Sequence, residues 1–271
     1  MSTPHILITN DDGYQAPALL ALAQALSRVG RVTAFAPDHN WSAAGHTKTM
    51  HKPLRITEST LPDGTPLYIT TGTPSDCVGL ALLGIVPERP DLVVSGINQG
   101  PNLGHDITYS GTLAAAMEAA VFGLPAIAAS QDDRQGWTGN PDFAAQVVAM
   151  LARQVLAHGL PPGCFLNVNF PALPPEQVRG IQITRLGRRI YRDVLIKRLD
   201  PKGRPYYWIG GDPPDGEPDE GTDIGALARG YISLTPLNLD MTDHAQLHAL
   251  AGWDLSLASV EVGSMAVPSA W

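Results

Sequence analysis

The chain has 271 residues, enough to bury one large core or two modest ones. Its formal net charge of −8 argues against a general nucleic-acid binder, because binding a phosphate backbone requires a basic face. No apolar run approaches the roughly 20 residues that span a bilayer, so we expect no membrane partner.

The first two thirds of the chain alternate strand-like and helix-like segments. Continuous apolar strands between amphipathic helices are typical of parallel strands that are covered on both faces. The pattern predicts an α/β fold, a Rossmann-like, doubly wound and mostly parallel sheet, in which ligands bind beyond the carboxyl ends of the strands. Strands are predicted at 5–10, 31–37, 67–71, 91–96 and 124–130, and helices at 17–30, 75–85, 109–123 and 141–159.

From about residue 180 the pattern changes. Residues 180–187 are strand-like, and about 186–210 predict an extended β-hairpin with charges on both faces, which therefore projects from the core or packs on a partner. An acidic, Pro- and Gly-rich flexible return over 212–223 precedes a strand near 230–236 that returns to the core, and a C-terminal helix follows. We therefore predict a core of residues 1–180 and a C-terminal region of residues 181–271 that contains the extended hairpin.

The two cysteines, Cys77 and Cys164, lie in apolar surroundings. This favours buried free thiols in a reducing compartment over a disulfide. The start of the chain shows no basic stretch ahead of an apolar one. We therefore expect a cytoplasmic protein.

The first strand runs directly into Asn10, Asp11 and Asp12. Both carboxylates can face one site only if the chain turns here, which Gly13 permits. Like charges in a dry crevice repel each other, and a divalent cation such as Mg²⁺ or Mn²⁺ would remove that repulsion. The alternative is that one Asp caps the next helix and the other is solvated.

Two further oxygen donors follow neighbouring strands. Ser42 follows the second strand, although taken alone it also fits a turn or N-cap serine. Asn98 follows the strand over 91–96 and can offer its amide oxygen. Because parallel strands end at the same edge of a sheet, these two residues and the two Asp residues predict an oxygen-only cation site.

A helix predicted to begin at Ser110 adds an anion pocket. Its free N–H groups and the hydroxyls of Ser110 and Thr112 can bind a phosphate, although a Gly-rich connection with an ordinary N-cap serine is the alternative. The segment is no dinucleotide fingerprint and lacks the P-loop lysine. A cation beside an anion pocket is the arrangement that metal-assisted phosphate hydrolysis requires.

Five linked motifs resemble the survival protein E family, SurE. They are ILITNDDGYQAP, APDHNWSA, GTPSDCV, SGINQGPNLGHDITYSGT and SLTPLNLD, in order from residue 6 to about residue 244. The resemblance implies a metal-dependent 5′-nucleotidase that hydrolyses nucleoside 5′- and 3′-monophosphates, and in some members short polyphosphate, by metal-activated water. It implies one divalent ion per subunit, Mg²⁺ or Mn²⁺, for which Co²⁺ can substitute.

The resemblance also assigns roles to individual residues. It implies Asp11 and Asp12 as the catalytic residues, with either one as the base. The implied metal ligands are Asp11, Asp12, Ser42 and Asn98, and the implied phosphate contacts are Asn102, Ser110, Gly111 and Thr112.

The same resemblance implies a homodimer or a dimer of dimers with an exchanged hairpin. Asp240 and His244 match a family pair that we interpret as structural. His39 and Trp41 stand where many relatives carry arginines, and His105 stands where an acid is common. If those arginines hold anionic substrates, affinity or substrate preference is expected to differ here.

Three other interpretations of the residues stay open. A haloacid-dehalogenase-type phosphatase uses a strand-end Asp as nucleophile, but it requires an acid where Gly13 stands. A receiver-like regulatory module requires a lysine late in the domain, and none occurs between Lys52 and Lys197. An assembly or adaptor role for the hairpin could coexist with catalysis.

Overall fold

The computed structural model of the chain describes residues 3–133 and 141–256. The chain divides into two compact units, residues 1–239 and residues 240–271. The second unit contains one described helix, α6 (His244–Leu250), and the last part of the predicted C-terminal region, residues 257–271, lies outside the described residues.

The first unit is built on a nine-stranded sheet in the order β3-β4-β2-β1-β5-β6-β7-β11-β8. The run from β4 to β7 is parallel, β3 and β11 are antiparallel to their neighbours β4 and β7, and β8 is parallel to β11. The Rossmann-like prediction is confirmed. The sheet strands are β1 (His5–Thr9), β2 (Arg31–Pro37), β3 (Ile56–Thr60), β4 (Pro66–Thr70), β5 (Leu92–Gln99), β6 (Ala126–Gln131), β7 (Cys164–Phe170), β8 (Ile181–Ile183) and β11 (Ile232–Asn238).

Five α-helices belong to this unit within the described ranges. They are α1 (Pro17–Leu26), α2 (Pro74–Leu80), α3 (Gly111–Val121), α4 (Pro141–His158) and α5 (Asp223–Ala228). Across the described residues, no helix combines the length and the apolarity needed to cross a membrane.

The core consists of two layers, one on each face of the sheet. Ile6 and Ile8 of β1 pack with the buried faces of α1 and α4, whereas Leu7 packs with α2 and α3. This follows from the alternation of side chains along a strand. Both cysteines are free thiols, as predicted, with Cys77 buried and Cys164 half-buried.

The sheet also has a switch point. From β1 the chain builds outward through β2 to one edge, and from β5 it builds outward to the other. The loops that follow β1, β2 and β5 therefore meet at one crevice, beyond the carboxyl ends of these strands. This crevice is where the predicted donors lie in the sequence.

The hairpin is present as β9 (Arg189–Leu199) and β10 (Pro205–Gly216), paired antiparallel. At its base, the side chain of Arg189 donates to Asp106 with Nε 2.6 Å from Oδ2, and the Tyr191 hydroxyl donates to the other carboxylate oxygen at 2.5 Å. Farther out, Leu195 and Ile209 are exposed. The hairpin is therefore anchored at its base beside the loop that follows β5, while apolar side chains lie open along its length.

Four elements of the first unit differ from the predictions. Strands β3 and β7 were not predicted: β3 is a polar edge strand, and β7 carries two Asn residues. The predicted return over 212–223 is shorter than expected, because β10 extends to Gly216 and α5 begins at Asp223 with Thr222 as its N-cap, which leaves only residues 217–221 without a helix or strand. The predicted helix over 75–85 ends as an α-helix at Leu80 and continues as a π-helical turn.

Candidate active site

A tight turn follows β1, as predicted. The Asn10 side chain accepts a hydrogen bond from Gly13 N at 3.1 Å and donates one to Gly13 O at 3.0 Å. Gly13 has a φ of +95°, which a glycine adopts without the strain that a Cβ would add. The turn is what lets two sequential carboxylates leave the sheet at one crevice.

Asp11 is buried and tightly held. Its Oδ1 accepts from the Thr112 hydroxyl at 2.6 Å, and backbone N–H groups of Gly111 and Thr112 at the start of α3 also bind the carboxylate. Burial raises the pKa of Asp11 above its usual 3.8, although these hydrogen bonds oppose the shift. The absence of a Cβ at Gly111 makes room, since a Cβ there would lie 2.8 Å from the Asp11 Cβ.

Asp12 is less buried and has fewer donors. Burial, and then the negative charge of Asp11, raise the pKa of Asp12 from 3.8 to about 6, against a hydrogen bond from the Gln99 backbone. Asn40 Nδ2 lies 3.4 Å from Asp12 Oδ1, a long contact. Asp12 is therefore the carboxylate whose oxygens are more available to a ligand.

A cavity of about 280 Å³ lies in the crevice and brings together most of the predicted residues. Its lining comprises Asp11, Ser42, Ala43, Asn98, Gln99, Gly100, Pro101, Asn102, Asp106, Tyr109 and Ser110. Asp12 lines a neighbouring cavity that shares Gln99 with the first. Gly111 and Thr112 lie behind Asp11 and are not part of either lining.

Ser42 and Asn98 present oxygens at this cavity. The side-chain N–H of Asn98 donates a hydrogen bond to Gly100 O, with Nδ2 2.7 Å from the oxygen, which leaves the amide oxygen of Asn98 as an acceptor. Ser42 is placed by its backbone N–H, which donates to Asn40 Oδ1 at 2.8 Å. Both placements are consistent with the predicted ligand set.

The four predicted phosphate contacts divide into two groups. Ser110 caps α3, accepting from Leu113 N at 3.1 Å, so its hydroxyl hydrogen is left to donate into the cavity. Asn102 lines the cavity, but one N–H of its amide donates to Ser130 Oγ at 2.7 Å. Gly111 and Thr112 contact Asp11, and a direct contact of either with phosphate stays a prediction.

Two site-shaping residues were not predicted. Asn169 Oδ1 accepts from Asn102 N at 2.8 Å, and Asn167 Nδ2 donates to Asn102 O at 2.9 Å. Both lie on β7 and are fully buried. Two asparagines at alternate positions of an otherwise apolar segment are the signal that could have identified them, because period-two spacing places them on one face.

Two of the three departures from the family pattern, His39 and Trp41, lie in the loop after β2, and the third, His105, lies in a 3₁₀ turn after β5. The rings of His39 and Trp41 lie 4.8 Å apart between centroids, and Trp41 N donates to Asp11 O at 2.7 Å.

In the second unit, His244 Nε2 lies 3.0 Å from Asp240 Oδ2, and the structural role of this pair stays a prediction.

The donor set mixes residue types. Among the described residues, no group of three or more His, Cys, Asp or Glu could hold a metal ion. A site here would combine two carboxylates with an amide and a hydroxyl oxygen. Such oxygen donors suit a hard cation and do not suit zinc, which favours His and Cys ligands.

Fold and site together define a class: a Rossmann-like α/β protein with a carboxylate-bearing, oxygen-lined pocket at the switch point of its sheet. Residues 6–193 match the family described as "Survival protein SurE". The chain belongs to the SurE family.

Named relatives match nearly the whole chain. The "5′-nucleotidase SurE" of Chloroflexus aggregans is 54% identical over 252 residues, covering 92% of this chain and 99% of that protein. The protein of the same name from Geobacter sulfurreducens is 51% identical and covers 96% of this chain and 97% of its own length. The crystal structure of the SurE protein from Aquifex aeolicus is 40% identical with a TM-score of 0.76, covering 91% of this chain and 98% of that one.

Proposed function

We propose that the chain is a 5′-nucleotidase that hydrolyses nucleoside 5′-monophosphates to nucleoside and phosphate, and that it also accepts 3′-monophosphates and short polyphosphate. The names of its relatives support a nucleotidase. The observation that carries the proposal is a buried Asp11 next to a half-buried Asp12 at an oxygen-lined crevice on the switch point of the sheet.

The residues fit one divalent cation per subunit, Mg²⁺ or Mn²⁺, with Co²⁺ able to substitute. Burial raises the pKa of both carboxyls, and Asp11 raises that of Asp12 further, so this crevice disfavours two negative charges in the absence of a cation. Asp11, Asp12, Ser42 and Asn98 would hold the ion through oxygen alone.

The residues around the cation have separate tasks. Lewis-acid activation of water and of the phosphate would come from the bound cation. Asp11 is fixed by Thr112 and the start of α3, so it holds its position, whereas Asp12 has fewer donors and is the carboxylate free to accept a proton. The Ser110 hydroxyl and the second N–H of the Asn102 amide bind phosphate oxygens.

Hydrolysis rates test this proposal directly. A panel of 5′- and 3′-nucleotides and tripolyphosphate is assayed with Mg²⁺, Mn²⁺ and Co²⁺, and we expect phosphate release from the 5′-nucleotides. Asp11→Asn and Asp12→Asn should each lower kcat/KM by at least about 100-fold. Asp63→Asn, a surface control, should match the wild type. A wild type inactive on every 5′-nucleotide with all three cations would overturn the function, and fully active Asp variants would overturn the site.

We further propose that the protein is cytoplasmic and forms a homodimer or a dimer of dimers through its hairpin. The exposed apolar side chains of the hairpin support assembly: Val194, Leu195, Trp208 and Ile209 are each more than half exposed. We expect the native mass of the full chain to be two or four times 28.8 kDa, and a variant without residues 188–208 to contain fewer subunits. An unchanged number of subunits would contradict the role of the hairpin.

A further inference from the structure

The loop that carries Ser42 has little regular structure to hold it. It runs from the end of β2 to the start of β3, residues 38–55, and most of its residues are exposed. A serine oxygen can serve as a ligand only if the loop stays in place, since ordering a free loop at each binding event costs conformational entropy. Something in the folded chain must hold this segment.

The buried side chain of Glu118, on α3, contacts this loop from the protein interior. The residue is 2% exposed, in the middle of an Ala-rich helix face where an apolar residue would be expected. Its Oε2 lies 2.9 Å from His46 Nε2, and its Oε1 lies 2.6 Å from Lys48 Nζ. The Lys48 ammonium also lies 5.5 Å from the ring centre of Phe122, one turn along from Glu118.

The pairing is strong enough to keep this buried group charged. Burial alone would raise the pKa of Glu118, but the hydrogen bonds and charges of His46 and Lys48 outweigh it and hold the pKa below the usual 4.5. The Glu118 carboxylate loses its hydration on burial, whereas the side chains of Lys48 and His46 stay 48% and 33% exposed, so an apolar side chain at this position would cost less to bury. The buried charge of Glu118 is better explained by the loop residues that it holds in place, His46 and Lys48.

The same helix also holds Asp11. The first residues of α3, Gly111 and Thr112, bind the Asp11 carboxylate, and Glu118 lies seven residues later, roughly 10 Å along the helix axis. Residues on one helix keep a fixed separation. Helix α3 can therefore set the distance between the first-strand carboxylates and the loop that carries Ser42.

We propose that Glu118 is a positioning residue: through His46 and Lys48 it clamps the Ser42 loop to α3 and so completes the cation site. The inference rests on the proposed function in taking Ser42 as a ligand. Other contacts assist, since Gly45 N donates to Tyr109 O at 2.9 Å and Trp41 N donates to Asp11 O at 2.7 Å, but the Glu118 carboxylate contacts the side chains of both His46 and Lys48.

The test compares Glu118→Gln with Glu88→Gln, a matched control that breaks an exposed pair with Arg31 near the start of β2. Mn²⁺ affinity is measured by electron paramagnetic resonance on protein shown to be folded by circular dichroism. We expect the Mn²⁺ Kd of Glu118→Gln to rise about tenfold, with kcat at saturating Mn²⁺ within threefold of wild type. The control should keep the wild-type Kd.

Hydrogen exchange supplies a readout that does not depend on metal or activity. In metal-free Glu118→Gln we expect faster amide exchange over residues 41–49, with β1 and the first turn of α3 as protected as in wild type. Where Glu118→Gln does not fold, Lys48→Gln and His46→Gln on the exposed loop serve instead, each with a smaller effect in the same direction.

The two proposals fail differently. A Kd within twofold of wild type, or unchanged exchange over 41–49, overturns the clamp. A wild type that binds no Mn²⁺ and hydrolyses no nucleotide overturns the proposed function, and the exchange measurement then still decides whether Glu118 holds the loop.

Discussion

Replacing Asp12 by Asn should stabilise the metal-free protein while abolishing its stabilisation by metal. Burial and the neighbouring Asp11 raise the pKa of Asp12 from 3.8 to about 6, so the folded protein binds the proton more tightly than the unfolded chain does. The free energy of unfolding therefore falls as pH rises from about 3.8 to about 6, and the full penalty is present at pH 7.5.

The size of the effect follows from that pKa. A displacement from 3.8 to about 6 corresponds to about 3 kcal/mol. Because the side chain is partly exposed, solvent screening reduces this to about 1.5 kcal/mol. For a protein of this size, the Asp12→Asn variant in EDTA should melt about 3 to 6 °C above the wild type.

Thermal unfolding followed by circular dichroism measures the prediction, in EDTA and in excess Mn²⁺, at pH 7.5 and at pH 4. With Mn²⁺ at about 100 times its Kd, the wild type should gain about 2.7 kcal/mol and melt above the variant, which should not respond. Asp63→Asn controls for loss of a surface charge. If Asp12→Asn melts below the wild type in EDTA at pH 7.5, the two carboxylates carry no mutual penalty and the electrostatic reasoning fails.

Three further changes should have distinct outcomes. Gly111→Ala places a Cβ 2.8 Å from the Asp11 Cβ, so we expect kcat/KM for a 5′-nucleotide to fall roughly 100-fold in a folded protein; wild-type kinetics would contradict this contact. Asp223→Ala removes a fully buried carboxylate that accepts two loop amides at 2.7 and 2.8 Å, and denaturant unfolding should show a loss of about 3 kcal/mol. The pKa of Glu118 is held below 4.5, so the stabilisation from its charged form is present above pH 4.5 and is lost as the pH falls further. If the ion pairs form, the free energy of unfolding of Glu118→Gln should depend less on pH between pH 5 and pH 3 than that of the wild type.

Much of the fold could be predicted because most of its central strands are recognisable from their own hydrophobic sequence pattern. Strand β2 occupies Arg31–Pro37 as predicted, since a mostly apolar, β-branched run bounded by turn residues specifies a buried parallel strand. Strand β3, Ile56–Thr60, could not be recognised because four of its five residues are exposed, and it is defined only by pairing with β4. Strand β7 could not be recognised for a related reason. Its two asparagines form hydrogen bonds to the Asn102 backbone and interrupt the apolar pattern by which a buried strand is predicted.

The chain by itself determined the alternating α/β plan and the clustering of oxygen donors after successive strands, because hydrophobic period and strand ends are local properties. Only the tertiary structure decided that the start of α3 and Thr112 hold Asp11 across 101 positions of sequence, and that Glu118 faces the Ser42 loop. The partner of a buried polar group is set by tertiary packing. Packing brings together residues that are far apart in the sequence, and such pairs produce no hydrophobic periodicity from which they could be predicted.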